Sequence, residues 1–221
     1  MQNGYTNNIN FKIAFTGMML SLVILFQYLE KFMPIFEIFM KMNLSLVFIM
    51  ATLYVAGLSW ASLLLILRFS IGPAVGKYGY STLGIWNHTI LLVMGSLFII
   101  IFYSLDKISH KIKINNNVRL LIISIISVLI ISLIGPLLNG LLFTPVYWYL
   151  VPERPIPTAS LYDAKNAYQI LKVPFFFGIP NYWGGMYAAY GLGNFLKYSL
   201  ICAVFIPMWK IIKRYERKEK I

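Results

Sequence analysis

The chain has 221 residues, of which 59% are hydrophobic and 12% charged, and its formal net charge is +12. That is too little polar surface for a soluble domain and marks a membrane protein. The positive charge is not gathered on a module with a reading helix or ribbon, which excludes a nucleic-acid partner; it lies between and after apolar runs, where topology signals lie.

The polar start, Met1 to Asn10, gives way to an apolar run longer than a signal-peptide core and without a small-x-small cleavage site, so it is expected to stay as the first helix. Phe11 to Met33 suffices to cross ~30 Å of hydrocarbon, and Pro34 stops it. Ala14, Gly17 and Ser21 form a small-residue strip along it. Such a strip allows close approach of another helix, either a docking partner or a neighbour in the bundle.

After a mixed connection from Pro34 to Lys41, thirty residues from Asn43 to Gly72 carry almost no charge. Gly57 and Ser59 divide them into two shorter helices, Asn43 to Ala56 and Leu58 to Ile71, joined by a tight turn and covered by neighbouring protein. Arg68, in the second, has two readings: it faces a cavity or a carboxylate, or it snorkels to the interface. Gly72 to Gly84 reads as a loop. Its glycine spacing is wrong for a phosphate cradle, and Tyr78 stands where the magnesium-binding hydroxyl is needed.

Ile85 to Leu105 is the next span, with Trp86, Asn87 and His88 near its start. A lone histidine there is more often hydrogen-bonded structure than a metal ligand. Asp106 to Arg119 is a short basic loop. Val118 to Phe143 is an Ile-rich span broken late by Gly135 and Pro136 and followed closely by Asn139; the proline is expected to kink it or to free carbonyls near a cavity. Thr144 to Tyr190 is the longest polar connection, and its Pro, Tyr and Trp content predicts an ordered, partly buried cap.

The final span, Gly191 to Ile212, places Asn194 and Lys197 inside an apolar run, with the one cysteine, Cys202, further along; a single cysteine excludes a disulfide framework and a thiolate metal cluster. Three residues apart, Asn194 and Lys197 share one helix face. An ammonium at that depth needs a partner or a watery cavity, which points to a polar ligand site. The other reading is that Lys197, roughly 9 Å of helix from the outer end, snorkels to the interface.

The pattern predicts an all-α membrane protein: one integral domain over residues 1–221, with six transmembrane helices and both termini on one side. Eleven Lys and Arg on the N-terminal tail, the Asp106 to Arg119 loop and the C-terminal tail, against six on the other side, place the termini in the cytoplasm of a cell (plasma) membrane protein. Asn139, Asn194, Lys197 and the aromatic cap then lie toward the outside. No paired intramembrane carboxylates, H-E-x-x-H, Walker A or G-x-S-x-G pattern is present, so enzymatic work is not indicated. Nor is a buried proton-relay carboxylate expected.

Two segments, Asn139 with Pro145 and Tyr147, and the N-F-L-K run from Asn194 to Lys197 before a long apolar helix and a basic tail, resemble the S component of energy-coupling factor (ECF) vitamin transporters. The riboflavin-binding type is the one most resembled. The specific motifs lie in the last two helices, while the six-span layout, the strip on the first helix and the compact second and third spans agree over most of the chain. Two departures are Leu192-Gly193, where that type has Pro-Phe, and a longer connection from Tyr147 to Gly191.

The resemblance implies a small subunit that captures a vitamin outside and delivers it across the membrane by toppling within a complex. That complex supplies a transmembrane coupling subunit and two ATPase subunits. By motif position, Asn139, Asn194 and Lys197 would hydrogen-bond riboflavin, a transported ligand and not a cofactor. Tyr147, Trp148 and Trp183 would enclose its ring system, Arg68 is a further candidate contact, and Ala14, Gly17 and Ser21 would dock the partner. Two rivals remain: the same scaffold with another vitamin or a purine-like ligand, and a non-transport membrane assembly protein in which Asn194 and Lys197 only stabilise the bundle.

Overall fold

The structure, a computed structural model, describes residues 8–29, 44–112, 115–151, 156–171 and 176–218, with Leu171 and residues 213–218 described by backbone alone. Its helices are α1 (Ile9–Leu29), α2 (Ser45–Val55), α3 (Leu58–Val75), α4 (Thr82–Ser109), α5 (Asn116–Leu138), α6 (Thr144–Leu150), α7 (Leu161–Leu171), α8 (Tyr182–Met186) and α9 (Leu192–Lys218). Two π-helical segments, Asn139–Phe143 and Tyr187–Gly191, join α5 to α6 and α8 to α9 without a break. Pro34, the connection to Lys41, and Asn43 lie outside the described residues, as do Lys113, Glu153, Arg154 and Lys172.

Among the described residues, five helices are long and apolar enough to cross a membrane: α1, α3, α4, and the continuous stretches Asn116–Leu150 and Tyr182–Ile212. All six expected segments are helical, but α2 is not a span by length. Its eleven residues reach about 16 Å, half the hydrocarbon thickness. Ten of them are buried. Helix α2 packs between α1, α3 and α9, which cover it on nearly every side. Gly57, at φ 99, makes the reversal into α3 in a conformation open to glycine.

The expected loops are shorter than their sequence suggests. Helix α3 runs past Ile71 and through Pro73 to Val75. Ser81, accepting from the Gly84 amide at 3.2 Å, then starts α4. The Thr144 to Tyr190 connection is helical at both ends, which leaves residues 151–181 between the two long stretches, with α7 among them. The expectation for Asp106 is corrected. It is no loop residue but part of the last turns of α4, 3% exposed, where His110 and Arg119 meet its carboxylate and let the helix continue past the apolar run.

Contacts sort the helix ends into two groups. Tyr54, Asp106, Arg119 and Trp209 gather at one end, with Tyr54 and Trp209 rings 4.7 Å apart. Gln27 with His88, Trp86 with Phe143, and Tyr182 with Gly140 gather at the other. Between them a core of Val23, Ile49, Phe98, Ile131 and Phe205 is closed to solvent. On the outer face of α5, Leu121, Ile125, Leu129 and Leu133 repeat every four residues and are exposed, the arrangement lipid contact requires.

Candidate ligand site

The site begins with a break in α5. Pro136 has no N–H to give the Ser132 carbonyl, and Gly135 before it has no side chain to fill the gap. Asn139, 5% exposed and first in the π-helical segment, donates its Nδ2 to the Gly135 carbonyl at 2.8 Å. From the opposite side Asn194 lays its amide on the same glycine, so closely that a Cβ on Gly135 would collide with it. Asn139 and Asn194 therefore both touch Gly135. Asn194 is wholly buried, and neither its amide oxygen nor its nitrogen has a hydrogen-bond partner. A buried amide left so costs about 1–3 kcal/mol.

The second π-helical segment ends at Gly191, just before Asn194, and packs against α5. A Cβ at Gly191 would lie 3.6 Å from the Ser132 carbonyl, so the two interrupted stretches approach closely where Pro136 has freed that oxygen. Such π-bulges, rare elsewhere, recur at functional positions.

Lys197 is buried at 7% exposure, with its ammonium 5.5 Å from the Tyr198 ring centroid, and does not extend to the surface. Tyr198 donates its hydroxyl to the Met94 carbonyl at 3.3 Å. Arg68 reaches the same interior from α3: it is 5% exposed, and its guanidinium lies near enough to act on the Tyr198 hydroxyl. Arg68 and His88 also line a crevice whose other walls are Leu65, Phe69, Leu91 and Leu92 and which has no room for a water molecule.

The three aromatic candidates lie in or beside the cap, which has its own core of Trp148, Ile156, Tyr168, Phe176, Tyr182 and Met186. Trp148 meets Phe176 edge-on at 6.2 Å, and Tyr147 packs half-buried against this cluster. Trp183 covers Gly140, where a Cβ would come within 2.5 Å of the indole, and Lys165 stands 5.8 Å over its ring. Burial holds the Tyr168 phenol above its ordinary range, so it remains a donor, to the Ile179 carbonyl. Ala14, Gly17 and Ser21 stand apart from the site. All three are exposed on the outer face of α1, and nothing lies within 4 Å of a Cβ placed on Gly17.

Sequence reasoning missed three polar contacts near this end. Gln27 donates its Nε2 to His88 Nδ1 at 3.2 Å, and both side chains press on Gly72, where a Cβ would stand 2.7 Å from each. Tyr182 donates to the Gly140 carbonyl at 2.6 Å, and Thr144 to the Tyr190 hydroxyl at 3.2 Å. The available signal was a polar residue in an apolar run matched to a glycine on another helix.

Fold and site together define an all-helical, membrane-embedded bundle with a polar, cation-containing interior at one end. The chain is similar to a Mycoplasma pneumoniae protein named "Uncharacterized protein MG350.1 homolog", with 29% identity over 216 residues, 95% of this chain and 90% of that one. It is also similar to the Mycoplasma genitalium "Uncharacterized protein MG350.1", with 24% identity over 221 residues, 96% of this chain and 92% of the other. No family model and no solved structure matches.

Proposed function

We propose that this chain is the substrate-binding S component of an ECF-type vitamin importer, that it takes riboflavin at its outer end, and that it works with a transmembrane coupling subunit and two ATPase subunits. The observation that carries this reading is Asn194: a wholly buried amide with both atoms unpartnered, laid on Gly135 close to two π-helical interruptions. An amide offers a donor and an acceptor side by side, which suits the carbonyls and ring nitrogens of a flavin. Lys197 and Arg68 supply further donors from the same interior. The cap, with Tyr147, Trp148 and Trp183, closes the mouth once ligand has entered. On this reading the basic end and both termini face the cytoplasm, as the distribution of Lys and Arg favours.

The test is an absorption and fluorescence spectrum of the purified protein, then a riboflavin titration after any bound ligand has been stripped. Expected are quenching and saturation near one flavin per chain. Lys197→Met should weaken binding by roughly 1–3 kcal/mol while the protein still inserts in the membrane. Folded protein that neither carries nor binds flavin would remove riboflavin as substrate. One observation favours a second reading: the cap aromatics already pack on one another. A different vitamin or a purine-like ligand would then stabilise the protein against heat where riboflavin does not.

A further inference from the structure

At the basic end, away from the ligand site, three polar side chains close the turn between α4 and α5. Arg119 Nη1 lies 2.9 Å from His110 Nδ1. His110 Nε2 lies 3.5 Å from one Asp106 carboxylate oxygen, and Arg119 Nε lies 3.8 Å from the other. A guanidinium can only donate, so His110 Nδ1 must accept. The ring proton is therefore on Nε2, facing Asp106, and the imidazole in this arrangement is neutral.

That geometry does not survive a second ring proton. An imidazolium has no acceptor to offer Arg119 and stands as a like charge beside it, while its attraction for Asp106 grows. We propose that His110 is a proton-operated clasp: neutral, it bridges Asp106 to Arg119; charged, it takes the carboxylate for itself and releases Arg119. The ring can receive that proton, because the His110 side chain is 42% exposed while Asp106 is buried.

The surroundings isolate the effect. Of the charged or titratable groups described here, Tyr54 on α2 faces Asp106 and Arg119 from inside, while Lys107, Lys111 and, on α9, Lys210 are exposed. Losing the His110 contact leaves only the 3.8 Å approach of Arg119 to Asp106 as the tie between the start of α5 and the end of α4. Tyr54 and Trp209, from α2 and α9, pack beside this joint with rings 4.7 Å apart. The clasp thus makes the packing of this end depend on whether the His110 ring carries one proton or two.

The experiment uses the full-length protein in lipid nanodiscs. The chain has two histidines, so ¹⁵N-histidine spectra of the wild type and of His110→Gln assign both rings. At pH 8 His110 should show a bare Nδ1 and a protonated Nε2, and at pH 5.5 both nitrogens should be protonated. Arg119→Gln should lower Tm by roughly 2–4 °C at pH 8 and by much less at pH 5.5. In a His110→Gln background, where the amide accepts and donates but does not titrate, the penalty should be the same at both values. An equal penalty at both pH values in the wild-type background, or a charged or Nδ1-protonated ring at pH 8, overturns the proposal. If Arg119→Gln does not fold, the spectra of the wild type decide alone.

Discussion

Asn194 and Gly135 carry the chemistry of the site between them. One brings an amide into the core, and the other withholds the side chain that would displace it. Because the amide is unpartnered, its replacement by an apolar group of similar size should help the empty protein and harm the loaded one. Asn194→Leu is expected to raise the stability of ligand-free protein by up to about 1–3 kcal/mol. The same change should remove most of the stabilisation that ligand confers. Thermal melts with and without riboflavin measure both. A loss of stability in the empty protein would mean that the amide serves the bundle itself.

The long helical stretches are useful at the points where they are interrupted. Tyr182–Ile212 packs its π-helical segment against α5, and its Tyr182 and Trp183 both rest on Gly140 of Asn116–Leu150. At Gly140 a Cβ would stand 2.5 Å from the Trp183 ring. Gly140→Ala should push Trp183 aside, cost about 1–3 kcal/mol, and alter tryptophan emission. Gly17→Ala, on the open face of α1, should change stability by no more than about 0.5 kcal/mol. Equal effects from the two substitutions would contradict the packing described for the cap.

On the scale of the whole molecule, two faces have separate duties. The interior toward the cap holds Asn139, Asn194, Lys197 and Arg68, while the outer side of α1 leaves Ala14, Gly17 and Ser21 exposed among the described residues. If the α1 face docks a coupling subunit, Gly17→Leu should leave riboflavin affinity unchanged and lower uptake by cells or proteoliposomes several-fold. Lost affinity with this variant would instead tie the strip to the bundle. The basic end, with its clasp at His110, is a third region, independent of both.

The positions of the helices were legible in the sequence because they depend on local quantities: the length of an apolar run, a proline, a glycine at a turn. Asn139, Asn194 and Lys197 stood out for the same reason, as polar groups within runs that exclude them. What the sequence could not supply was which helix faces which. Helix α2 reads as one of six spans until its neighbours enclose it, and Asp106 reads as a loop residue until Arg119 and His110 reach its carboxylate. Gln27 stands out only as a polar residue in an apolar run, and it finds His88 because Gly72 lets α1 and α4 meet over α3. Local chain chemistry determined the helices. The close contacts at glycine, and the burial of charge they permit, exist only once separate helices pack together, and those the tertiary structure alone decided.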